Sequence, residues 1–232
     1  MSLKSVRAVF FDLDGTLVDS FQAIQSGYNS ALSQLAEKTL SLEDVRKIVG
    51  GGLRDSFVEM VGEEKADEAV TLFRTRYREV YRNETFLLPT VRETVDTLKE
   101  AGHLLGVISN KYGDFSRGIL ESLGLSGFFS FVIGDGDGYP LKPDPAIMNA
   151  LLKKYDLKAE EAIYLGDGPI DIAFCRASGT RAYMVATGNY TYGQLSEHKP
   201  ENLFPTLRAF LDFFSSAGPP NTPSPICSPD PA

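Results

Sequence analysis

Five short apolar runs, at residues 6–11, 104–108, 131–133, 162–165 and 181–185, limit what this chain can fold into more than any other feature. Each except the last leads through polar or glycine-rich residues into a segment of helical period. Apolar runs that alternate with helices belong to a parallel sheet, because parallel neighbours need a crossover and the crossover helices cover the faces of the sheet. The expected class is therefore α/β, with a Rossmann-like parallel sheet core.

One segment breaks the alternation. From about residue 21 to 87 no strand-like run occurs, and the sequence reads instead as amphipathic helices: FQAIQSGYNSALSQLAE, SLEDVRKIVG, GLRDSFVEMV and KADEAVTLFRTRYREVYRN. Ser41 with Asp44 is a helix-start signal, and Gly50 to Gly52 form a break. Pro89 marks the return to the sheet, through the helix TVRETVDTLKEAG, for which Gly102 serves as a C-terminal cap. The expected organisation is a core from residues 1–18 and 88–214, an inserted α-helical cap domain of about 65 residues over 19–87, and a disordered tail over 215–232, whose Pro and Ser content is too high to pack.

Composition excludes several functions. At 232 residues and 43% hydrophobic, the chain can bury a core without staples. A net charge of -8 with scattered cations argues against a nucleic-acid partner. The two cysteines, Cys175 and Cys227, lie far apart with no C-x-x-C or histidine neighbour, so neither a zinc site nor a disulfide framework is indicated. With no signal pattern and no apolar run long enough to span a bilayer, the expectation is a cytoplasmic protein without a membrane partner.

In an open parallel sheet, ligands gather at the carboxyl ends of the strands. Four expected strand ends carry polar chemistry there: Asp12 and Asp14 after the first, Ser109 and Asn110 after the second, Lys142 beyond the third, and Asp167 with Asp171 after the fourth. Each taken alone has an ordinary explanation as a turn or a helix cap. Four such coincidences at successive strand ends do not.

The quoted stretches DLDGTLVD (residues 12–19), ISNK (108–111), KPDP (142–145) and GDGPID (166–171) resemble, in order, the four motifs of the haloacid dehalogenase superfamily. The helical insert is similar to the small α-helical cap of that superfamily, and the likeness covers about residues 6–214. It implies a Mg²⁺-dependent phosphatase of the phosphoglycolate phosphatase type, acting as monomer or homodimer on a small phosphorylated metabolite through an aspartyl-phosphate. A phosphosugar mutase like β-phosphoglucomutase and an inorganic pyrophosphatase are the alternatives within the fold. A non-catalytic scaffold is disfavoured, because it has no reason to keep like charges that repel without a metal.

The chemistry follows the same residues. Asp12 is placed to attack phosphorus, and Asp14, two residues on, to act as acid and then base. Gly15 and Thr16 would turn the chain and aim N–H groups at the phosphoryl oxygens, with Ser109, Asn110 and Lys142 adding hydroxyl, amide and cation. Asp12, Asp14, Asp167 and Asp171 form the candidate acidic set for Mg²⁺, with Asp171 alternatively orienting Lys142. Gly168-Pro169 stands where the family often has Ser or Thr, whereas the spacing from Asp167 to Asp171 is kept. Asp14 favours phosphatase over carbon–halogen chemistry, which needs no proton donor there. The stretch VGGGLRD (49–55) is similar to the glycine-containing cap loop of phosphoglycolate phosphatases, which makes Gly51 and Arg54 candidate substrate contacts.

Overall fold

The computed structural model describes residues 5–216. The chain begins with β1 (Ala8–Phe11) and β2 (Val18–Asp19), then runs through α1 (Phe21–Gln34), α2 (Leu42–Ile48), α3 (Leu53–Val61) and α4 (Glu63–Val80) to β3 (Phe86–Leu87). It continues through α5 (Val91–Glu100), β4 (Leu104–Tyr112), α6 (Gly113–Ser122), β5 (Phe131–Asp135), α7 (Ala146–Lys154) and β6 (Ala162–Gly166). The last elements are α8 (Pro169–Ser178), β7 (Arg181–Val185), α9 (Tyr192–Glu197), β8 (Asn202–Phe204) and α10 (Leu207–Ser216).

The main sheet has six strands in the order β5-β4-β1-β6-β7-β8, and every neighbouring pair is parallel. Because successive strand residues point to opposite faces, β1 splits its apolar side chains between two cores. Val9 and Phe11 join Val107, Leu165 and Val185 on one face. Phe10 joins Ile108, Tyr164 and Met184 on the other. Residues 8 to 11 are completely buried, which is why this strand reads as an unbroken apolar run. The strand order reverses at β1, so its carboxyl end lies at the switch point where an open sheet binds its ligand.

The short strands β2 and β3 pair antiparallel, Val18 opposite Leu87 and Asp19 opposite Phe86, and carry the chain out to the helices and back. There α1 packs on α4 and α4 on α3 around the rings of Tyr28, Phe57 and Phe73. Helix α2 starts on a reciprocal cap. The Asp44 N–H donates to Ser41 Oγ at 3.1 Å, and the Ser41 N–H donates to the Asp44 carboxylate at 3.3 Å. The Gly50 to Gly52 break separates α2 from α3.

Three strands were not legible as runs. β2, β3 and β8 hold only two or three residues each, too few to show a period. β4 runs on to Tyr112 through a register shift after Ile108, so Ser109 and Asn110 sit on the strand itself rather than beyond it. Residues 215 and 216 end α10, and the remainder of the expected disordered tail, with Cys227, lies outside the described residues. Cys175 is a buried free thiol. Among the described residues no helix is long and apolar enough to cross a membrane.

Candidate active site

Asp12 follows β1 directly, and its N–H donates to the Leu165 carbonyl at 2.8 Å, prolonging the pairing with β6. Asp167 follows β6. Asp171 lies in the first turn of α8, where its carboxylate accepts the N–H groups of Asp167 at 3.2 Å and Gly168 at 3.1 Å. A carboxylate at a helix N-terminus satisfies donors that the helix itself cannot. These contacts hold oxygens of Asp12, Asp167 and Asp171 within 4.8 Å of one another, all three residues buried.

One cation threads the group. Lys142 Nζ lies 3.1 Å from Asp12 Oδ1 and 2.7 Å from Asp171 Oδ1, and it donates to the Tyr164 hydroxyl at 2.8 Å. Tyr164 passes the chain on to the Ile108 carbonyl at 2.6 Å. Burial works against the charge on Lys142, but Asp12 and Asp171 outweigh it and raise its pKa. Burial pushes the Asp12 carboxyl up to about 6, with Lys142 opposing and Asp171 and Asp14 adding to the rise. Burial, then Asp12 and Asp171, raise the Asp167 carboxyl well above its ordinary value.

Ionised together, three buried carboxylates against a single ammonium would carry an excess of negative charge. Hard oxygen ligands packed this closely fit a divalent cation of the Mg²⁺ kind, which would make the ionised forms favourable. Close packing holds Asp167 in place. Gly15 has φ +83°, and a Cβ there would fall 2.4 Å from Asp167 Oδ2; at Gly188 it would fall 1.7 Å away. Only glycine backbone can approach the carboxylate so closely.

Two expected roles change. Thr16 is completely buried and does not line the cavity; its hydroxyl donates to Asp167 Oδ1 at 3.1 Å, making it a support for the acid rather than a substrate contact. The N–H groups of Gly15 and Thr16 are spent on the Val18 and Leu13 carbonyls, so the turn does not offer them to a phosphoryl group. Asp14 stands apart from the acidic trio. One of its oxygens accepts from Ser20 and the other pairs with Lys111 Nζ at 2.8 Å, so it faces the cavity without joining the metal candidates.

The cavity over these carboxylates has a volume of about 280 Å³. Ser109, Asn110 and Gly51 line it. Asn110 bridges its two sides: its Nδ2 donates to the Lys142 carbonyl at 3.0 Å and the Gly50 carbonyl at 3.1 Å, and its Oδ1 accepts the Lys142 N–H at 2.8 Å. Arg54 is not among the lining residues. Its guanidinium is taken by Glu63 at 2.6 Å and Asp67 at 2.7 Å on the exposed side of the helices.

Lys111, Tyr164 and Asn189 are the site residues that sequence reasoning passed over. Lys111 stood in the quoted ISNK stretch and was readable as a cation. Tyr164 looks like any core aromatic of a strand, and Asn189, whose Nδ2 donates to the Val49 carbonyl at 3.1 Å, lies in a loop with no pattern of its own.

The chain matches the family model described as haloacid dehalogenase-like hydrolase over residues 9–185. Among curated proteins, a phosphoglycolate phosphatase of Vibrio cholerae is 34% identical over 83% of this chain and 89% of its own length. A pyrophosphatase of Bacillus velezensis is 31% identical over 91% of this chain and 97% of its own length. Among solved structures, a haloacid dehalogenase-like hydrolase of Streptococcus pneumoniae superposes with a TM-score of 0.83 at 25% identity, covering 90% of this chain and 99% of its own.

Proposed function

The chain belongs to the haloacid dehalogenase-like hydrolases, and from that premise we propose that it is a Mg²⁺-dependent phosphomonoesterase working through an aspartyl-phosphate on Asp12. The observation that carries this reading is the convergence of Asp12, Asp167 and Asp171 within 4.8 Å on the floor of a cavity that Asp14, Ser109 and Asn110 also line.

Asp12 Oδ1 accepts its own neighbour's amide, the Leu13 N–H, at 2.7 Å and faces Lys142 at 3.1 Å, so Oδ2 is the oxygen left for attack on phosphorus. The bond from phosphorus to the ester oxygen breaks as the bond to Asp12 forms, and the leaving alcohol takes a proton from Asp14. Asp14 then accepts a proton from the water that hydrolyses the acyl phosphate. Its orientation is set by Ser20 and Lys111. Lys142 and Ser109 supply cation and hydroxyl around the transferred group, while Asn110, whose amide hydrogens are held by the Gly50 and Lys142 carbonyls, fixes the cavity wall beside it. Asp12, Asp167 and Asp171 would hold Mg²⁺, which when bound neutralises charge on the phosphoryl oxygens and on the carboxylates themselves.

Phosphoglycolate and pyrophosphate enter as the substrates that relatives' names bring. The test is release of inorganic phosphate from both, and from ethyl phosphate, by the full chain with Mg²⁺, with the Asp12→Asn variant as control. Release that survives in Asp12→Asn would overturn the assignment.

A further inference from the structure

The floor of the cavity is acidic, and much of its wall is aromatic. Tyr28, Phe73 and Tyr77 from the helical segment meet Tyr112 and Phe115 from the sheet side, and all five line the cavity. Their rings pack in one continuous row that shows only its edge to the cavity: Tyr28 to Phe73 at 5.0 Å, Phe73 stacked on Tyr77 at 5.3 Å, Tyr77 edge-on to Phe115 at 4.9 Å, and Phe115 to Tyr112 at 5.6 Å. Ile24, Ile48 and Leu53 add aliphatic wall.

The cations of this lining are all matched. Lys111 pairs with Asp14 at 2.8 Å, Arg74 pairs with Asp135 at 3.2 Å and lies 4.4 Å over the Tyr112 ring, and Lys47 pairs with Glu43 at 2.8 Å. Arg54, the cation expected to meet a substrate carboxylate, points elsewhere. A second anionic group beyond the phosphoryl would have to draw Lys111, Arg74 or Lys47 away from the carboxylate it now meets.

We infer that the ester this site takes carries an uncharged, ring-bearing leaving alcohol. The inference rests on the phosphomonoesterase reading and narrows its substrate class. A cavity of about 280 Å³ is near the lower end of the range for drug-sized ligands and is roomier than a two-carbon acid requires once the phosphoryl group is seated. Aromatic walls reward a flat apolar group by area burial and by edge and face contacts. The phosphoryl end stays with the acids, Lys142 and Ser109, and the ring lies against the wall that the helical segment and the sheet form together.

The test compares three alkyl esters whose leaving alcohols are of similar chemistry: ethyl phosphate, phosphoglycolate and phenethyl phosphate, each with the full chain and Mg²⁺, read as kcat/KM for phosphate release. The expected order is phenethyl phosphate above ethyl phosphate by about tenfold to a hundredfold, chiefly through KM, with phosphoglycolate at or below ethyl phosphate. Leu53→Phe, which fills part of the wall, should lower the ratio of phenethyl to ethyl phosphate. Phosphoglycolate turned over better than both other esters, or a ring that brings no advantage, would overturn the inference while leaving the phosphomonoesterase reading in place. Phosphate released from none of the three would overturn that reading and the inference with it.

Discussion

The side-chain amide of Asn189 donates to the Val49 carbonyl across 3.1 Å, joining the loop after β7 to the loop between α2 and α3. Asn110 makes the matching contact to Gly50 from the end of β4. Two amides on the sheet side thus hold two successive carbonyls of the glycine loop over the cavity, each bond contributing a modest net free energy.

Asn189→Ala removes one of these holds and keeps the backbone N–H of residue 189, which donates to Asp167 Oδ2 at 3.4 Å. A loop held less firmly should close less often on substrate, so KM is expected to rise about threefold to tenfold with a smaller change in kcat. Steady-state kinetics on any turned-over ester checks this, and a fall in kcat alone would place Asn189 in the chemistry instead.

Under the proposed mechanism the two carboxylates of the first motif have different roles and should fail differently. Asp12→Asn should abolish both turnover and phosphoenzyme. Asp14→Asn should slow turnover by roughly 10²–10⁴-fold while a phosphoenzyme still forms. Acid-quench trapping with a labelled ester separates the two outcomes.

If Asp12, Asp167 and Asp171 hold Mg²⁺ as proposed, metal should act on stability as well as on activity. Chelator should remove activity, Mg²⁺ should restore it, and Ca²⁺ should fail because it accepts looser and higher coordination. Mg²⁺ at about a hundred times its dissociation constant should raise the thermal midpoint by roughly 5–10 °C. A midpoint unmoved by Mg²⁺ would remove the trio Asp12, Asp167 and Asp171 from metal binding.

What the sequence disclosed follows from how far its signals reach along the chain. Asp12, Asp167 and Asp171 were readable because each sits within a few residues of a buried strand whose apolar run is plain. Thr16 is readable from its place beside Asp14 as a substrate contact, but not as support for Asp167, since a partner 151 residues away leaves no trace in spacing. Arg54 shows the same limit from the other side. A helix-start cation reads the same whether it faces a cavity or Glu63 and Asp67, and only the packing of α3 on α4 decides. The aromatic wall was hidden for a further reason, because Phe73 and Tyr77 at helical spacing look like core residues and are core residues as well.

His103 provides a pH dependence remote from the site. It is 6% exposed with its ring 5.2 Å from that of Phe214, and burial lowers its pKa to about 4, against a smaller raising effect from the Val6 backbone. Between about pH 6.5 and 4 the unfolded chain binds a proton there that the folded chain refuses, so stability falls as pH falls through that window, by up to roughly 3 kcal/mol. Denaturant unfolding across that range should show the slope, and His103→Gln should flatten it.

Arg54 supplies the sharpest contrast between a substrate role and a structural one. Its guanidinium spans Glu63 at 2.6 Å and Asp67 at 2.7 Å, and all three side chains are well exposed, so the pairs are screened by solvent and hold little stability. Arg54→Ala should therefore leave the ratio of kcat/KM for phosphoglycolate to that for ethyl phosphate within about twofold of its original value, because no substrate carboxylate loses a partner. Both esters carry the same phosphoryl group, so a loss shared by the two would assign the residue to phosphate contact or to the position of the glycine loop. A loss of tenfold or more confined to phosphoglycolate would mean that the guanidinium leaves Glu63 and Asp67 to meet the substrate. The same result would count against an uncharged leaving group, since the cavity would then have a cation to spare.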